Sequence, residues 1–455
     1  MNEKINTKRL TLFALTWPIF IESLLHILMG NADTLMLSMY SDNSVAAVGV
    51  SNQILSLIIV MFGFVATGTA VLVAQHFGAN DNRSASEVAV VSIYANLLFG
   101  IILSVVIFIF SKQLLHLMDI PSELFAESHS YLAIVGLFSF PQAVIMTIGA
   151  ILRSYGYTRD TMYVTVGMNI LNIIGNYLFI FGPFGIPVLG VEGVAISTTA
   201  SRIIGLVAII ILLVKRIEHG LPFKEILSIP VIHLKNLLKI GIPSAGEQLS
   251  YNGSQMLITY FITIMGTQAL TTKVYTQNLM WLILLFSAAI SQGTQILIGQ
   301  MIGARQYENA YKRALKSLYL GIAISGVMAV VFSIFSAPLL SIFTDNPDII
   351  KTGGVLILLT IILEPGRAFN LVLINALRAA GDVKLPVYIG ILSMWGVAVP
   401  IAYVLGIHYE LGLVGVWISF IVDEWLRGVV MLWRWRSRAW QNKSFATDEK
   451  KAAVI

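Results

Sequence analysis

Twelve long apolar stretches follow one another along the chain, with polar segments between them. Each stretch has about the length that a membrane-spanning helix needs, which is roughly 20 mostly apolar residues. The pattern therefore predicts an all-α membrane protein with twelve transmembrane helices. The predicted spans cover residues 12–39, 45–75, 88–111, 130–151, 162–183, 189–214, 238–265, 275–302, 315–338, 353–376, 386–406 and 411–433.

Most segments between the spans are short and contain residues that favour turns, as in Gly78-Ala79-Asn80-Asp81 and Asp345-Asn346-Pro347-Asp348. The exception is a longer basic segment near the middle of the chain, which divides it almost in half. On this basis the sequence predicts an N-lobe at 1–214, a cytoplasmic linker at 215–237, a C-lobe at 238–434 and a cytoplasmic tail at 435–455.

The two halves repeat one another, mostly at an offset of 225 residues. The repeated blocks are Pro18 with Glu22 and Pro243 with Glu247; Gly68-Thr69 … Gln75 … Gly78-Ala79 and Gly293-Thr294 … Gln300 … Gly303-Ala304; Leu152-Arg153 … Gly156 and Leu377-Arg378 … Gly381; and, at an offset of 222, Gly190, Gly193, Ser197 and Gly412, Gly415, Ser419. Because each repeat has an even number of spans, both lobes have the same orientation. We therefore expect two parallel six-helix lobes around a central cavity, which is an architecture of secondary transporters.

Composition agrees with a membrane protein. Of the 455 residues, 57% are hydrophobic and 12% are charged, whereas soluble domains carry about 25% charged residues. The chain has no cysteine, which excludes disulfides, thiol catalysis and cysteine-based metal sites. The first apolar run is too long for a cleavable signal peptide, so none is expected.

The distribution of Lys and Arg predicts the orientation. If the N-terminus is cytoplasmic, the outer segments hold only Lys112, Lys273 and Lys351, and most of the 29 basic residues face inward. Cytoplasmic loops carry such an excess. We therefore expect a multi-pass protein of the plasma membrane with both termini in the cytoplasm, and we attribute Trp433, Trp435 and Trp440 to the membrane interface.

Charged side chains at membrane depth are costly, and they usually face a partner or a cavity. The sequence contains no GxxxxGK[ST] loop and no long soluble segment that would hold a nucleotide, so coupling to an ion is favoured over ATP. The acids in the apolar stretches outnumber the arginines by six to three. They are Glu22, Asp33, Glu247, Glu364, Asp423 and Glu424, with Arg202, Arg367 and Arg427.

In the N-lobe, Glu22 and Asp33 are 11 residues apart on the first span, which is close to three helical turns. Both carboxylates are therefore predicted on one face, as an ion or proton relay, although Asp33 near the outer interface is also consistent with simple capping. Asn172 and Asn176, with Asn169, form a stripe on the fifth span. We expect this stripe to share hydrogen bonds with Asp33, the alternative being ordinary contacts between helices.

In the C-lobe, Glu247 is the repeat mate of Glu22. Glu364 has Arg367 three residues later, and Asp423 has Arg427 four residues later, so both acids are also placed for salt bridges within a helix. Glu364 precedes Pro365-Gly366, where a break in the helix would expose carbonyl groups to an ion. We regard this part of the C-lobe as a candidate ion or substrate site.

The ordered set of motifs resembles the multidrug and toxic compound extrusion (MATE) family over about residues 10–435. The motifs that carry the resemblance are Trp17-Pro18, Asn31-Ala32-Asp33, Gly68-Thr69 … Gln75-His76-Phe77-Gly78-Ala79, Leu152-Arg153 … Gly156, Asn172 … Asn176 and Leu189-Gly190-Val191-Glu192-Gly193-Val194-Ala195.

This resemblance implies an antiporter that expels amphipathic, often cationic, compounds against an H⁺ or Na⁺ gradient. It implies an N-lobe coupling site at Asp33, Asn172 and Asn176. In family members that bind Na⁺ in the C-lobe, the acids fall at the positions of Tyr251 and Arg367 here, so the resemblance favours H⁺ and assigns no Na⁺ site.

We therefore expect a cation-coupled multidrug efflux antiporter that needs no cofactor besides its coupling ion. Its partners would be small amphipathic molecules and the lipid bilayer, not nucleic acid. The nearest alternative is a lipid-linked saccharide flippase or another secondary transporter of the same superfamily. A membrane-embedded enzyme is disfavoured because no HExxH, serine–histidine or paired-aspartate signature is present, and a non-transporting scaffold would not need the buried acids.

Overall fold

The computed structural model describes residues 11–217, 220–226 and 228–446. Within these ranges the chain is almost entirely helical and contains no β-strand. The helices of the first half are α1 (Leu12–Ser38), α2 (Asp42–Gly78), α3 (Asn82–Leu117), α4 (Ser122–Leu137), α5 (Phe140–Ser154), α6 (Thr158–Phe181) and α7 (Gly190–Arg216).

The helices of the second half are α8 (Val231–Ile264), α9 (Thr267–Gly303), α10 (Tyr307–Ile334), α11 (Ser336–Ser341), α12 (Pro347–Ala379), α13 (Lys384–Ser393), α14 (Val399–Tyr403) and α15 (Gly412–Arg436). Turns of π-helix follow α13 and α14, so that 384–408 forms one continuous helical span.

The described helices account for all twelve predicted spans. Nine are long and apolar enough to cross a membrane, and α4 with α5, bent by 46° where they meet, makes a tenth. Helices α8 and α15 are also long, with 34 and 25 residues, but they carry more polar and charged side chains. The protein is therefore a multi-pass membrane protein.

The predicted turns end and begin helices in the expected way. Asn80 has a positive φ of 56° after α2, and Asp81 accepts a hydrogen bond from the backbone N–H of Ser84 at the start of α3. Asn346 caps α12 in the same manner, with Pro347 in its first turn. These side chains satisfy N–H groups that the first turn of a helix leaves without partners.

The chain forms two compact units. The N-terminal unit contains the described residues of 21–73 and 81–241, and the C-terminal unit contains those of 11–20, 74–80 and 242–446. These bounds differ from the predicted lobes because the starts of α1 and α8 and the end of α2 are grouped with the other half of the sequence. Helix α8 also begins at Val231, inside the segment 215–237 that was predicted as a linker. Each unit has its own apolar core, built around Phe62 in the first and Leu373 in the second.

The repeat is visible in the backbone. Gly156 and Gly381 have the same φ of 91°, and Asn80 and Arg305 have φ values of 56° and 58°. Each pair is separated by 225 residues. Equal turns at equivalent positions support the inference that the two halves share one helical plan.

Glycines bring the ends of α2 and α9 into contact within the C-terminal unit. A Cβ atom at Gly78 would clash with the backbone carbonyl of Gln300, and one at Gly303 would clash with the carbonyl of Gln75. The contact is reciprocal because both helices carry the same repeated motif. Backbone atoms cannot move aside as a flexible side chain can, so this crossing requires glycine on both helices.

The residues after α15 pack against the C-terminal unit. Trp440 is fully buried and stacks on Trp435, which is also fully buried, with ring centroids 4.2 Å apart. The prediction that these two residues anchor at the membrane interface is therefore wrong, because their rings fill the core, whereas Trp433 is exposed. Lys443 Nζ lies 2.6 Å from Asp382 Oδ1, so the segment 437–446 is a packed part of the unit.

The glycine crossing gives a first prediction. Replacing Gly78 or Gly303 with Ala should destabilise the protein by about 1–3 kcal/mol or more, because the added methyl group overpacks against backbone. The measurement is the thermal unfolding midpoint of each purified variant in detergent. Gly49→Ala is the control, since a Cβ at Gly49 meets no atom within 4 Å. This variant should be neutral or slightly stabilising. Equal midpoints for Gly303→Ala and Gly49→Ala would contradict the account.

Candidate functional site

Asp33 is a buried carboxylate in the N-terminal unit. It lies near the end of α1, and its residue is only 5% exposed. Asn31 and Thr34 flank Asp33 in a helix that is otherwise largely apolar, and a buried carboxylate in such a helix needs hydrogen-bond donors or a counter-charge.

A carboxamide on α6 supplies the donor. Asn176 Nδ2 donates to Asp33 Oδ1 at 2.5 Å and also lies 3.4 Å from Asn172 Oδ1. Asn172 in turn donates to Thr198 Oγ1 of α7 at 3.1 Å. Asn172 and Asn176 are both fully buried. The hydrogen bond expected between the α6 stripe and Asp33 is therefore present, and the network extends to a third helix.

Asn169 does not join this network. Its Nδ2 donates to the carbonyl of Thr165 on its own helix at 2.8 Å. The three carboxamides thus lie on one stripe of α6, but only two of them connect to Asp33.

Three side chains near Asp33 were not assigned to the site from the sequence. Thr198 accepts from Asn172, while Tyr131 of α4 and Arg202 of α7 lie close enough to interact electrostatically with Asp33. The signal that would have identified Thr198 is its position directly after Ser197 of the repeated block. Arg202 was visible as an isolated base in an apolar span, but its proximity to Asp33 of α1 was not.

Glu22 and Glu247 form equivalent ion pairs. Glu22 Oε1 lies 2.8 Å from Arg153 Nη1, and Glu247 Oε2 pairs with Arg378 Nη2. Both pairs span 131 residues, as the repeat requires. Glu22 Oε2 also accepts from Thr161 Oγ1 at 2.9 Å, so Glu22 has partners different from those of Asp33. The sequence-based count of six acids against three arginines in the apolar stretches therefore omits Arg153 and Arg378, which pair with Glu22 and Glu247.

The second group of charges lies in the C-terminal unit, where α12 meets α15. The two predicted intrahelical pairs, Glu364 with Arg367 and Asp423 with Arg427, are both confirmed. Glu424 joins them, since its Oε1 lies 3.3 Å from Arg427 Nη2 and 3.6 Å from Arg367 Nε. We call Glu364, Arg367, Asp423, Glu424 and Arg427 the charged cluster.

Tyr251 of α8 lies near this cluster and interacts electrostatically with its members, whereas Glu247 pairs with Arg378 instead. The C-lobe candidates therefore do not form one site: Tyr251, Glu364 and Arg367 lie together, whereas Glu247 lies with Arg378.

The expected break at Pro365-Gly366 is wrong, because α12 continues without interruption from Pro347 to Ala379. A proline inside a helix leaves backbone carbonyls without their usual donors. Here the indole N–H of Trp425 donates to the carbonyl of Ile362 at 2.9 Å, and the absence of a Cβ at Gly366 makes room for the Trp425 ring. Helix α15 thus contacts α12 at the carbonyl of Ile362, one residue after the Ile361 carbonyl that Pro365 leaves without its helical donor.

The two sites have different chemistry. Asp33 is a carboxylate held mainly by neutral donors, so it is suited to exchange a proton or a cation. The charged cluster is a set of carboxylates already paired with guanidinium groups. In the part of the chain that the structure describes, no three Asp, Glu or His side chains converge as ligands of a metal ion would.

The equivalent ion pairs generate a stability prediction. Arg153→Ala or Arg378→Ala should cost about 3 kcal/mol or more, because each leaves a largely buried glutamate without its counter-charge. The control is Lys312→Ala, which removes an exposed pair with Glu308 and should cost about 0–1 kcal/mol. Chemical denaturation in detergent measures the difference. Losses of equal size in all three variants would show that the buried pairs contribute no more than a surface pair.

Comparison with known proteins identifies the family. The MatE family model matches residues 18–178 and 243–404, and each matched segment begins at a proline of the repeat. An uncharacterized transporter of Bacillus subtilis strain 168, YisQ, is 59% identical and the match covers 96% of each chain.

More distant relatives agree. The probable multidrug resistance protein NorM of Thermotoga maritima is 27% identical over 98% of this chain and 96% of its own. The fold is similar to that of a solved structure of a multidrug resistance MATE family transporter in an outward-facing conformation, with a TM-score of 0.86, 22% identity and coverage of 94% and 95%. With a family model that matches both repeats, this chain is a transporter of the MATE family.

Proposed function

We propose that this protein is an efflux antiporter that exports amphipathic, cationic compounds in exchange for a coupling ion, with H⁺ favoured over Na⁺. The observation that carries the proposal is Asp33, a buried carboxylate whose donor is the neutral amide of Asn176. Membrane-buried ionisable groups of this kind mark ion pathways and proton relays.

Exchange follows from the charge of one carboxylate. When Asp33 is ionised, its negative charge favours a cationic substrate in the same lobe. When it takes a proton, that attraction is lost and the substrate is released. Proton and substrate neutralise the same buried charge, and a transporter that binds them alternately moves them in opposite directions by alternating access.

The hydrogen bonds around Asp33 supply a way to transmit the proton. An ionised carboxylate only accepts hydrogen bonds, whereas a protonated one also donates. Asn176 Oδ1 is buried without a hydrogen-bond partner among the described residues, so it can accept from a protonated Asp33 if the amide turns over. That rotation would move Nδ2 of Asn176 away from Asn172 Oδ1, from which it lies 3.4 Å in this structure, and it would change the contact between α1 and α6.

The wider proposal concerns substrate and location. Export of several compounds is supported by relatives that are named as probable multidrug resistance proteins. The chain would act in the plasma membrane with both termini in the cytoplasm, as the distribution of Lys and Arg predicts. It would act as a transporter without enzymatic activity and with no cofactor besides the coupling ion.

Transport gives the first functional prediction. Vesicles containing the wild-type protein should expel ethidium when an H⁺ gradient is imposed, and Asp33→Asn should abolish this efflux because Asn cannot exchange a proton. Fluorescence of ethidium, with H⁺ and Na⁺ gradients applied separately, is the measurement.

The control for this experiment is Asp119→Asn, which replaces an exposed carboxylate at a residue with a positive φ of 49°. Asn tolerates this conformation, so the variant should transport normally. Efflux that survives Asp33→Asn would place coupling elsewhere. Absence of efflux from the wild type under either gradient would reject drug export and make saccharide-lipid flipping the function to test.

The α6 stripe supplies a matched pair of variants. Asn176→Ala should lower ethidium efflux at least tenfold, because it removes the donor to Asp33, whereas Asn169→Ala should retain most activity, since Asn169 bonds only to its own helix among the contacts described. Initial efflux rates at equal protein density provide the comparison. Equal losses in the two variants would contradict a specific role for the Asn176–Asp33 hydrogen bond.

A further inference from the structure

The charged cluster contains more negative than positive charge. Its three carboxylates, Glu364, Asp423 and Glu424, face the two guanidinium groups of Arg367 and Arg427. With every group ionised the cluster carries a net charge of −1, at a depth where uncompensated charge is expensive. One additional positive charge is therefore needed to neutralise the cluster.

The hydrogen bonds show where that charge is missing. Asp423 is bonded through both oxygens, by Arg427 and by Ser393 Oγ at 2.5 Å. Glu424 Oε1 faces the two arginines, and its Oε2 accepts from Asn370 Nδ2 at 2.8 Å. Each of these four oxygens has a positive or polar partner.

Glu364 is different. Its Oε1 accepts from Arg367 Nη1 at 2.9 Å, but its Oε2 is buried without a hydrogen-bond partner among the described residues. Glu364 is therefore the acid of the cluster that has an oxygen without a partner in the described part of the chain, and the excess negative charge is assigned to it. Because this residue is 0% exposed, the ligand that neutralises it here must need almost no space.

Arg367 occupies the place that a free cation would take. Its guanidinium group lies between Glu364 on its own helix and Glu424 on α15, 2.9 Å and 3.6 Å from their nearest oxygens. A guanidinium group is permanently charged and presents fixed N–H donors to carboxylates. A metal ion entering between these two acids would have to displace a group that is covalently attached.

The other helices packed on α12 bring no additional net charge to Glu364 and Arg367. The charged residues of the cluster come from α12 and α15. Helix α8 places two titratable side chains near the cluster: Tyr251, and Glu247, which interacts with Arg427 and is paired with Arg378. Helix α9 has no Asp, Glu, Lys or Arg between Lys273 and its end at Gly303, and the charged residues of α10 lie within its first ten residues, 307–316.

From this geometry we propose that Arg367 is a built-in cation that sets the ion specificity of the C-terminal unit: it excludes Na⁺ from the charged cluster and leaves Glu364 Oε2 to a proton. The proposal deepens the antiport function by adding a second proton-binding group, separate from Asp33. Its tests measure ion binding directly, so they remain decisive whether or not ethidium is the substrate.

The first test measures binding of radioactive ²²Na⁺ to purified protein in detergent. Arg367→Gln changes the charge of the cluster to −2 and adds a carbonyl oxygen, which is a suitable Na⁺ ligand. This variant should bind one more Na⁺ per chain than the wild type. The gain should disappear in the double variant Arg367→Gln/Glu364→Gln and should be absent in Arg367→Lys, which keeps the positive charge.

Two outcomes would overturn the proposal. One is an Arg367→Gln protein that elutes as a single species, unfolds cooperatively and binds no more ²²Na⁺ than the wild type. The other is extra Na⁺ binding that persists when Glu364→Gln is added, because the ion would then bind elsewhere.

A second measurement does not require substitution of Arg367. Infrared difference spectra between high and low pH should contain a protonated-carboxyl band that Glu364→Gln removes, that Asp33→Asn leaves in place and that added Na⁺ does not alter. A spectrum unchanged by Glu364→Gln, or a band that Na⁺ abolishes in the wild type, would contradict the assignment.

Discussion

The structure depends on one constraint, which is that a charged side chain at membrane depth needs a partner. Hydrocarbon supplies neither hydrogen bonds nor counter-charges, so each acid must obtain them from another helix or from a ligand. Glu22 and Glu247 obtain them from Arg153 and Arg378. Because these partners are 131 residues away in both halves, the two ion pairs connect the first helix of each repeat with its fourth span and fix the repeated plan.

The same constraint separates the residues that hold the fold from those that are suited to exchange. An acid whose charge is neutralised by arginine is a stable part of the structure. An acid that has only neutral donors, or an oxygen without a donor, is suited to bind an ion. Asp33 is held by the neutral amide of Asn176, and Glu364 has one oxygen without a hydrogen-bond partner among the described residues. The repeat is exact at Glu22 and Glu247, but Asp33 has Ile258 at the equivalent position. The two units therefore place their buried acids in different surroundings on a common helical plan.

Much of the fold could be predicted because the relevant signals are local. Apolar runs identified all twelve spans, and the spacing of Asp423 and Arg427 was enough to predict their pair.

Contacts between distant segments were harder to predict: nothing near Glu22 indicates Arg153, and nothing near Arg367 indicates Glu424. Trp435 and Trp440 were assigned to the interface because tryptophan is common there, but the packing of 437–446 buries them. The break at Pro365 did not form. Trp425 packs against Gly366 and donates to the carbonyl of Ile362 there, and these contacts cannot be predicted without the position of α15.

In the proposed mechanism a proton and a cationic substrate compete for the carboxylate of Asp33. The most direct measurement is the release of protons into a weakly buffered solution when ethidium is added to purified protein in detergent. The wild type should release protons as ethidium binds, whereas Asp33→Asn should release none while remaining folded. Undiminished proton release from Asp33→Asn, or ethidium binding to the wild type without any release, would contradict this mechanism.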